Sequence, residues 1–327
     1  MEKTLQGKIA VVAGATRGAG RGIACALGEA GATVYCTGRS TREKPAARKS
    51  EKGAPFDLTN RPETIEETAE MVTARGGVGI AVQVDHTIEE QVKALFDRVK
   101  AEPGKLDMLI NDIWGGDELT EFGKTFWQVS LPNGRLMLER AVFSHIITSH
   151  YAAPVMIETG GGLIVEITDG DFYGYRGNIF YDLVKTSVIR LAFIAARELR
   201  KKNITAIAVT PGFLRSEAML DHFGVTEANW QEAGKQDANF LASETPFYVG
   251  RAVAALAADP NIAKKSGRVF SSWDLAEEYG FTDIDGQKPH WGRHFEKTYG
   301  RRIKKCDETF FAYWFDDPME AAFPDWP

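Results

Sequence analysis

Tyr181 and Lys185 are the residues whose types and spacing most directly suggest chemistry. A separation of four residues places both side chains on one face of a helix, one turn apart. An ammonium group beside a phenol favours the phenolate, so we expect Lys185 to lower the pKa of Tyr181. Such a phenol donates and accepts protons near neutral pH. The pair therefore predicts acid–base catalysis, although tyrosine and lysine at this spacing are also common on helix surfaces.

Thr168 and Asp169 form a second polar pair at the end of the strand predicted over 162–168. A threonine hydroxyl can donate a hydrogen bond to a substrate carbonyl. An ionised aspartate cannot, and it opposes negative charge that develops on a substrate oxygen. Asp169 could donate if an apolar pocket kept it protonated. It could instead bind a cationic or polyhydroxyl substrate, or cap a turn.

Short apolar segments alternate with longer helical patterns along the chain. Strands are predicted at 8–14, 32–38, 79–85, 106–112, 162–168, 204–210 and 267–272, and helices near 19–30, 62–75, 88–101, 134–158, 179–201 and 245–258. The alternation predicts an α/β fold, a doubly wound, Rossmann-like parallel sheet of about seven strands flanked by helices. We expect one domain over 1–290 with an active-site insertion at 113–133. A C-terminal extension, 291–327, is expected to pack on the core or on a neighbouring subunit.

A glycine-rich turn follows the first predicted strand and leads directly into a helix. Its candidate cofactor-binding residues are Gly14, Thr16, Arg17, Gly18, Ala19 and Gly20. Glycines let the backbone turn tightly and approach a pyrophosphate at the start of the helix. The order of strand, turn and helix predicts a dinucleotide site.

The end of the second strand indicates which dinucleotide is preferred. An NAD site normally carries an acidic residue there, which binds the ribose 2′-hydroxyl. This chain has Arg39 and Ser40 instead, and Arg17 in the glycine turn adds a second guanidinium. Guanidinium groups suit a phosphate dianion. NADP(H) is therefore predicted over NAD(H), and the other basic residues of 40–58 are expected to form a solvated loop.

These motifs, in this order, resemble those of the short-chain dehydrogenase/reductase (SDR) superfamily over roughly residues 5–290. The segment 13–20 looks like its TGxxxGxG turn, and Tyr181 and Lys185 look like its catalytic pair. Further matching positions are Asp85, Asn111 of a partial NNAG motif, and Pro211, Gly212 and Ser216 of a PGxxxT segment. The segment 255–286 resembles the branch called dehydrogenase/reductase SDR family member one.

The resemblance implies hydride transfer between a nicotinamide and a small-molecule carbonyl or alcohol. It implies that Tyr181 is the general acid and base and that Lys185 holds the nicotinamide ribose. Asp85 and Asn111 would lie on the adenosine side, and Pro211, Gly212, Phe213 and Ser216 on the nicotinamide side. It also implies a homodimer or homotetramer that pairs through helices 134–158 and 179–201.

Two positions depart from the family pattern. Ala141 stands where the family has an asparagine that supports a proton relay. The catalytic serine falls on Asp169 when counted from the strand and on Thr168 when counted back from Tyr181, so either could replace it. These departures leave open an NADP(H)-binding protein with weak or no catalysis, acting as a regulator or scaffold. They also leave open imine or alkene reduction, dehydration or epimerisation that uses Asp169.

Aromatic residues crowd the loops after the fourth, fifth and sixth strands, where crevices open in α/β sheets. The predicted pocket consists of Trp114, Phe122, Phe126, Trp127, Phe172, Tyr173, Tyr175 and Phe213, together with Asp169. This composition predicts a bulky or aromatic carbonyl substrate.

Composition argues against several other classes. The chain has 327 residues, 44% of them hydrophobic, which is enough to bury the core of one large domain. Its net charge of −6 argues against nucleic acid as a main partner. The 3 cysteines and 6 histidines show no disulfide or metal-ligand pattern. Neither a signal peptide nor an apolar run of about 18 residues is visible. We therefore expect a cytoplasmic protein with no metal and no membrane span.

Overall fold

A computed structural model describes residues 3–44, 61–172, 174–302 and 305. Three predictions concern residues outside this described part. They are the pocket position of Tyr173, most of the basic loop 40–58, and the aromatic tail 306–327.

A single parallel sheet of seven strands forms the centre of the fold, as the sequence predicted. The strands are β1 Ile9–Ala13, β2 Thr33–Gly38, β3 Val78–Gln83, β4 Met108–Asn111, β5 Gly162–Ile167, β6 Ile204–Thr210 and β7 Val269–Ser271. Their spatial order is β3-β2-β1-β4-β5-β6-β7. The order reverses between β1 and β4, where a doubly wound sheet opens a crevice.

Helices follow the strands and cover both faces of the sheet. Within the described residues they are α1 Gly18–Glu29, α2 Ile65–Ala74, α3 Glu89–Ala101, α4 Leu131–Leu138, α5 Ser144–Thr159, α6 Ile179–Glu198, α7 Glu217–Phe223, α8 Pro246–Ala258, α9 Ser272–Tyr279 and α10 Trp291–Tyr299. The sequence patterns did not predict the short helices α7, α9 and α10. None of the described helices is both long and apolar enough to cross a lipid bilayer.

The core lies in two layers because successive strand residues point to opposite faces of the sheet. In β1, Ala10 and Val12 pack toward α1 and α8, whereas Ile9 and Val11 pack toward α3 and α5. All residues of β1 are buried, which explains its continuous apolar sequence. Helices on both faces thus bury the sheet, and the carboxyl ends of its strands lie together at the edge where the site is found.

The helix predicted over 134–158 is interrupted rather than uniform. It begins at Leu131 as α4, passes through a π-helical turn at Glu139–Phe143, and continues as α5 to Thr159. A π-turn accommodates one extra residue and changes which side chains face the neighbouring elements. Ala141, at the position of the family's asparagine, lies in this turn and is 1% exposed.

The predicted C-terminal extension begins with α10, which packs beside the site. Trp291 lies edge-on against Phe213, with ring centroids 5.9 Å apart. Trp291 and Phe295 both line the crevice described below. The first helix of the extension thus forms part of the crevice wall.

Helix α1, which starts at the glycine turn, is held close to α8 by a pair of glycines. A Cβ at Gly22 would overlap the carbonyl of Pro246, and a Cβ at Gly250 would overlap the carbonyl of Gly22. The two helices therefore meet backbone to backbone, which fixes the position of the helix start.

We predict that Gly22→Ala lowers the free energy of unfolding by about 1–3 kcal/mol, because the added methyl forces the two helices apart. Urea denaturation measures the change. Glu29→Ala, at a partly exposed position of the same helix, should stay within about 0.5 kcal/mol of the unmodified protein. Equal stability of both variants would contradict the close contact.

Candidate active site

A cavity of about 1020 Å³ opens at the carboxyl ends of the strands. Its wall is drawn from the segments that follow β1, β2, β4, β5 and β6. The predicted site residues that line it are Gly14, Thr16, Arg17, Gly18, Ala19, Arg39, Ser40, Asp85, Trp114, Phe122, Thr168, Asp169, Phe172, Tyr181, Lys185, Pro211, Gly212, Phe213 and Ser216. One crevice therefore collects residues that are far apart in the sequence.

Tyr181 faces this crevice from the first turn of α6. The side chain of Asn178 accepts hydrogen bonds from the backbone N–H of Phe180 and Tyr181 and so fixes the start of the helix. The Tyr181 hydroxyl donates a hydrogen bond to Oδ2 of Asp169, at 2.7 Å. The ring of Trp114 packs edge-on against the tyrosine ring, with centroids 5.6 Å apart. The phenol is thus oriented by one carboxylate and one aromatic wall.

The pKa of Tyr181 is raised well above its ordinary value, which corrects our prediction of a lowered pKa. Burial disfavours the phenolate most, and the Asp169 carboxylate then repels the phenolate and accepts a hydrogen bond from the neutral phenol. Asp117 acts in the same direction, and Arg176 opposes them. The prediction considered only the helical neighbour Lys185, whereas the dominant partner comes from the end of β5.

Lys185 lines the crevice one turn after Tyr181. Its ammonium lies 4.3 Å from the centroid of the Trp114 ring and 5.6 Å from that of the Tyr181 ring. Burial lowers its pKa, while Asp169, Asp112 and Asp117 oppose the shift. An ammonium in this position can donate hydrogen bonds to the hydroxyls of a bound ribose.

The side chains of Thr168 and Asp169 form hydrogen bonds with different partners. The Thr168 hydroxyl donates a hydrogen bond to the backbone carbonyl of Lys185, at 2.8 Å, and so ties β5 to α6. Asp169 directs its carboxylate to Tyr181 instead. Of the two candidates for the serine position, only Asp169 contacts the tyrosine hydroxyl with its side chain.

Two further carboxylates in the crevice were missed from the sequence. Asp112 follows β4 and accepts a hydrogen bond from the backbone N–H of Gly20, and burial raises its pKa to about 7 against the opposing charge of Lys185. Asp117 accepts a hydrogen bond from the indole N–H of Trp114, at 2.6 Å. Their positions just beyond a strand end are the signal that could have identified them.

The glycine turn brings its backbone close to the end of β4 and leaves a backbone N–H directed to an anion. Gly14 has φ +93°, and a Cβ there would overlap the carbonyl of Asp112. The backbone N–H of Gly18, at the start of α1, donates to the carboxylate of Glu217, at 2.8 Å. A carboxylate on this N–H indicates an anion-binding position. Gly20 does not line the cavity, since it packs against the carbonyl of Gly14.

Several predicted site residues do not line the cavity, which corrects those assignments. Asn111 is fully buried, and its amide nitrogen donates to Glu166 at 2.8 Å and to Ser149 at 3.0 Å. Phe126 and Trp127 are 63% and 71% exposed and pack against each other. They lie on the outer surface of the insertion because only its earlier residues reach the strand ends.

Tyr175 is likewise not part of the cavity wall. It is 67% exposed. The aromatic wall instead includes Trp273, Trp291 and Phe295, which come from α9 and α10. The sequence did not predict these helices, so it gave no reason to place their aromatic residues in the site.

The fold and the crevice define a dinucleotide-binding α/β protein. A family profile described as Enoyl-(Acyl carrier protein) reductase matches residues 43–263. Dehydrogenase/reductase SDR family member 1 from Mus musculus is 34% identical over 292 residues, which cover 88% of this chain and 86% of the mouse protein. The chain therefore belongs to the short-chain dehydrogenase/reductase family, and these homologues support an oxidoreductase.

Two solved structures share the fold. A short chain dehydrogenase from Mycobacterium paratuberculosis bound to NAD has a TM-score of 0.65 and 22% identity, over 82% of this chain and 97% of that one. L-Sorbose reductase from Gluconobacter frateurii complexed with NADPH and L-sorbose has a TM-score of 0.66 and 18% identity, over 88% and 98%. At these identities the likeness extends to the fold alone. The two proteins hold different dinucleotides, so cofactor preference has to be argued from the residues of this chain.

The residues present fit a nicotinamide dinucleotide. The backbone approach at Gly14 and the anion-binding N–H of Gly18 suit a pyrophosphate. Arg39 and Asp85 lie at the far end of the crevice, with Nη1 of Arg39 3.8 Å from the Asp85 carboxylate. Tyr181 and Lys185 lie in the part of the crevice lined by the residues that follow β4 and β5.

A buried carboxyl stands behind the Pro211–Gly212 turn. Oε2 of Glu244 accepts hydrogen bonds from the backbone N–H of Gly212, at 2.9 Å, and from the Ser272 hydroxyl, at 2.6 Å. Burial raises its pKa to about 8; Asp283 adds to the shift, and the two hydrogen bonds oppose it. Glu244 therefore ties the turn after β6 to the start of α9 in a protonated state near neutral pH.

We predict that Glu244 makes the protein less stable as pH rises. Its pKa is about 8 in the folded chain and about 4.5 in the unfolded chain, so the folded chain binds more protons between these values. The free energy of unfolding contributed by this group falls as pH rises through that window. Urea denaturation at about pH 5.5 and pH 7.5 should show a smaller fall for Glu244→Gln, which cannot ionise.

Glu232→Gln, at an exposed carboxylate, provides the control and should keep the pH dependence of the unmodified protein. The prediction is wrong if Glu244→Gln keeps that same dependence.

Proposed function

We propose that the protein is an NADP(H)-dependent oxidoreductase that transfers hydride between the nicotinamide and a carbonyl or alcohol carbon. The observation that carries this proposal is the position of Tyr181 and Lys185 together in the crevice that begins at the glycine turn. Membership of the SDR family supports the same reaction class.

Different residues of the chain bind different parts of the cofactor. The bound nicotinamide supplies or accepts the hydride. The turn at Gly14 and Gly18 holds the pyrophosphate, and Lys185 holds the nicotinamide ribose. Arg39 and Ser40 lie at the end of β2, where an acid would select NAD, and Arg17 lines the same crevice. Their positive charge and hydroxyl favour a 2′-phosphate.

Tyr181 acts as the proton donor when a carbonyl is reduced. Its raised pKa keeps the phenol protonated at neutral pH, which is the state required to give a proton to the developing alkoxide oxygen. The same property makes Tyr181 a poor base for alcohol oxidation. The raised pKa therefore fits a role for Tyr181 as proton donor in reduction better than a role as proton acceptor in oxidation.

The substrate lies against an aromatic wall. Trp114, Phe122 and Phe172 come from the loops after β4 and β5, and Phe213 and Trp291 complete the wall from the other side. Aromatic walls bind flat apolar groups through large contact areas. We therefore propose a bulky or aromatic carbonyl compound as the substrate.

The contact between Asp169 and Tyr181 favours a second candidate reaction, the reduction of a carbon–nitrogen double bond. A proton given by Tyr181 to an imine nitrogen creates a cation, whereas a reduced carbonyl develops an anion. A carboxylate 2.7 Å from the tyrosine oxygen stabilises the former and opposes the latter. The two reactions therefore respond in opposite ways to the loss of the Asp169 charge.

The same proposal includes assembly of identical chains in a reducing compartment such as the cytoplasm. Helices α5 and α6 expose apolar side chains, namely Ile146 at 41%, Ile157 at 38%, Leu183 at 46% and Ile194 at 38%. Exposed apolar residues on adjacent helices are typical of subunit interfaces. Cys25 and Cys36 are free and buried, which fits a reducing compartment.

We predict that Tyr181→Phe lowers kcat for carbonyl reduction by about 100-fold or more, because the proton donor is lost. NADPH consumption across a panel of aromatic ketones measures the rate. The dissociation constant for NADPH, measured by fluorescence, should stay unchanged, since the ring still packs against Trp114. Tyr151→Phe, outside the crevice on α5, is the control.

Undiminished turnover of Tyr181→Phe would contradict the role of Tyr181. NADPH binding without turnover of any carbonyl or imine by the unmodified protein would instead indicate a cofactor-binding protein with little catalysis.

We predict that Asp169→Asn lowers the pKa of Tyr181, because it removes the charge that repels the phenolate. The phenolate absorbance should then rise at a lower pH, and Asp169→Asn combined with Tyr181→Phe should lack this change. Ketone reduction should become faster and imine reduction slower. Asp97→Asn, at an exposed carboxylate on α3, should leave the titration and both rates unaltered.

A Tyr181 titration that does not respond to Asp169→Asn would contradict the assigned electrostatic coupling. A slower ketone reduction would show that Asp169 itself takes part in proton transfer to the carbonyl.

A further inference from the structure

Arg140 enters the crevice from the π-helical turn between α4 and α5. Its side chain lines the cavity, and Nη1 donates a hydrogen bond to the backbone carbonyl of Gly115, at 3.0 Å. No motif of the sequence includes Arg140. It is the second residue of the π-helical turn and reaches the segment after β4.

Arg39 reaches the same place from the end of β2. The Cβ that Gly115 lacks would stand 3.2 Å from Cδ of Arg140 and 3.5 Å from Nη2 of Arg39. The side chains of Arg140 and Arg39 therefore both flank one residue that has no side chain. A side chain at Gly115 would occupy the space between them.

The positive charge at this point is only weakly compensated within the described part of the chain. Arg39 forms a long ion pair of 3.8 Å with Asp85, and no carboxylate in that part lies within 4.0 Å of Arg140. Burial lowers the pKa of Arg140, and the charge of Arg39 adds to the shift, with Glu118 and Asp85 opposing it. Two neighbouring positive charges favour the binding of an anion.

Glu118 is the carboxyl that opposes the lowered pKa of Arg140 most strongly, but it does not neutralise the positive charge of the two arginines. Burial raises the pKa of Glu118 although Arg140, Arg17 and Arg39 all oppose the shift. Its Oε1 is buried without a hydrogen-bond partner in the described structure. The carboxyl thus stays in the electrostatic range of three arginines without pairing with any of them.

We propose that Arg140 and Arg39 bind the 2′-phosphate of NADP(H) between them. This inference rests on the proposed preference for NADP(H) and names a specificity residue outside the glycine turn and the end of β2. A guanidinium pair offers several N–H donors in a planar arrangement, which matches the oxygens of a phosphate dianion. Arg140 therefore selects NADP(H), while Gly115 keeps the space between the guanidiniums open.

The test compares two small ligands that differ only in the 2′-phosphate, 2′,5′-ADP and 5′-AMP. Titration calorimetry of the unmodified protein should show tighter binding of 2′,5′-ADP. Arg140→Met should weaken 2′,5′-ADP by about 10- to 100-fold, as expected for a lost hydrogen bond between charged groups, and leave 5′-AMP unchanged. Arg135→Met removes the same charge from an exposed position on α4 and should alter neither ligand.

A second variant separates the effect of the positive charge from that of the planar guanidinium shape. Arg140→Lys keeps the charge and should bind 2′,5′-ADP with an affinity between those of the unmodified protein and Arg140→Met. Rising salt should reduce the preference for 2′,5′-ADP in the unmodified protein more than in Arg140→Met. Thermal unfolding of each variant verifies that the fold is intact before the affinities are compared.

The outcomes are distinguishable. Equal affinity of the unmodified protein for the two ligands would overturn the proposed NADP(H) preference itself. A preference that survives in Arg140→Met would overturn the role of Arg140 alone. An equal loss for both ligands would show that Arg140 contacts a group that the two ligands share, the adenosine or its 5′-phosphate, and not the 2′-phosphate, which also overturns the inference.

Discussion

The close contact between the glycine turn and the end of β4 is the constraint on which the site depends. Strand β1 pairs with β4 in a register that sets Ala13 beside Asn111, so the turns after both strands must leave the sheet side by side. They fit only because Gly14 has no side chain to meet the Asp112 carbonyl. The same contact brings the Asp112 carboxylate to the start of α1 and within the electrostatic range of Lys185. The backbone contact at this edge of the sheet thus sets the glycine turn and Lys185 in one crevice.

Charge is divided along this crevice. Among the described residues that line it, Arg17, Arg39 and Arg140 outnumber the carboxylate of Asp85 near the end of β2, whereas Asp112, Asp117 and Asp169 outnumber Arg176 around Tyr181 and Lys185. In a partly buried site such charges act strongly on their neighbours because little water screens them. Burial, and after it the Asp169 and Asp117 carboxylates, raise the pKa of Tyr181 although an ammonium stands one helical turn away. The division suits a cofactor with a phosphate at one end and a proton-transfer step at the other.

The fold was predictable because the sheet follows from local patterns, and much of the site followed with it. Buried parallel strands are continuous apolar runs, and residues just beyond their ends must share one edge. That logic placed Arg39, Asp169 and Gly212 in the crevice. It failed for Asn111, which is the last residue of β4 and points into the core, and for Trp127, which lies too far along its loop. It also failed for the pKa of Tyr181, since spacing within one helix says nothing about neighbours from another strand.

The π-turn shows most clearly what spacing cannot supply. Residues three or four positions apart in a regular helix face the same direction. The direction of one side chain therefore predicts the directions of the others along the helix. One π-turn breaks that rule, and every residue after it is rotated relative to those before. Counting along the sequence therefore finds only that an asparagine is replaced by Ala141. The three-dimensional arrangement shows that the residue before it, Arg140, extends into the crevice and reaches Gly115. A helix that lacks the family's polar side chain at one position thus contributes a guanidinium from the position before it.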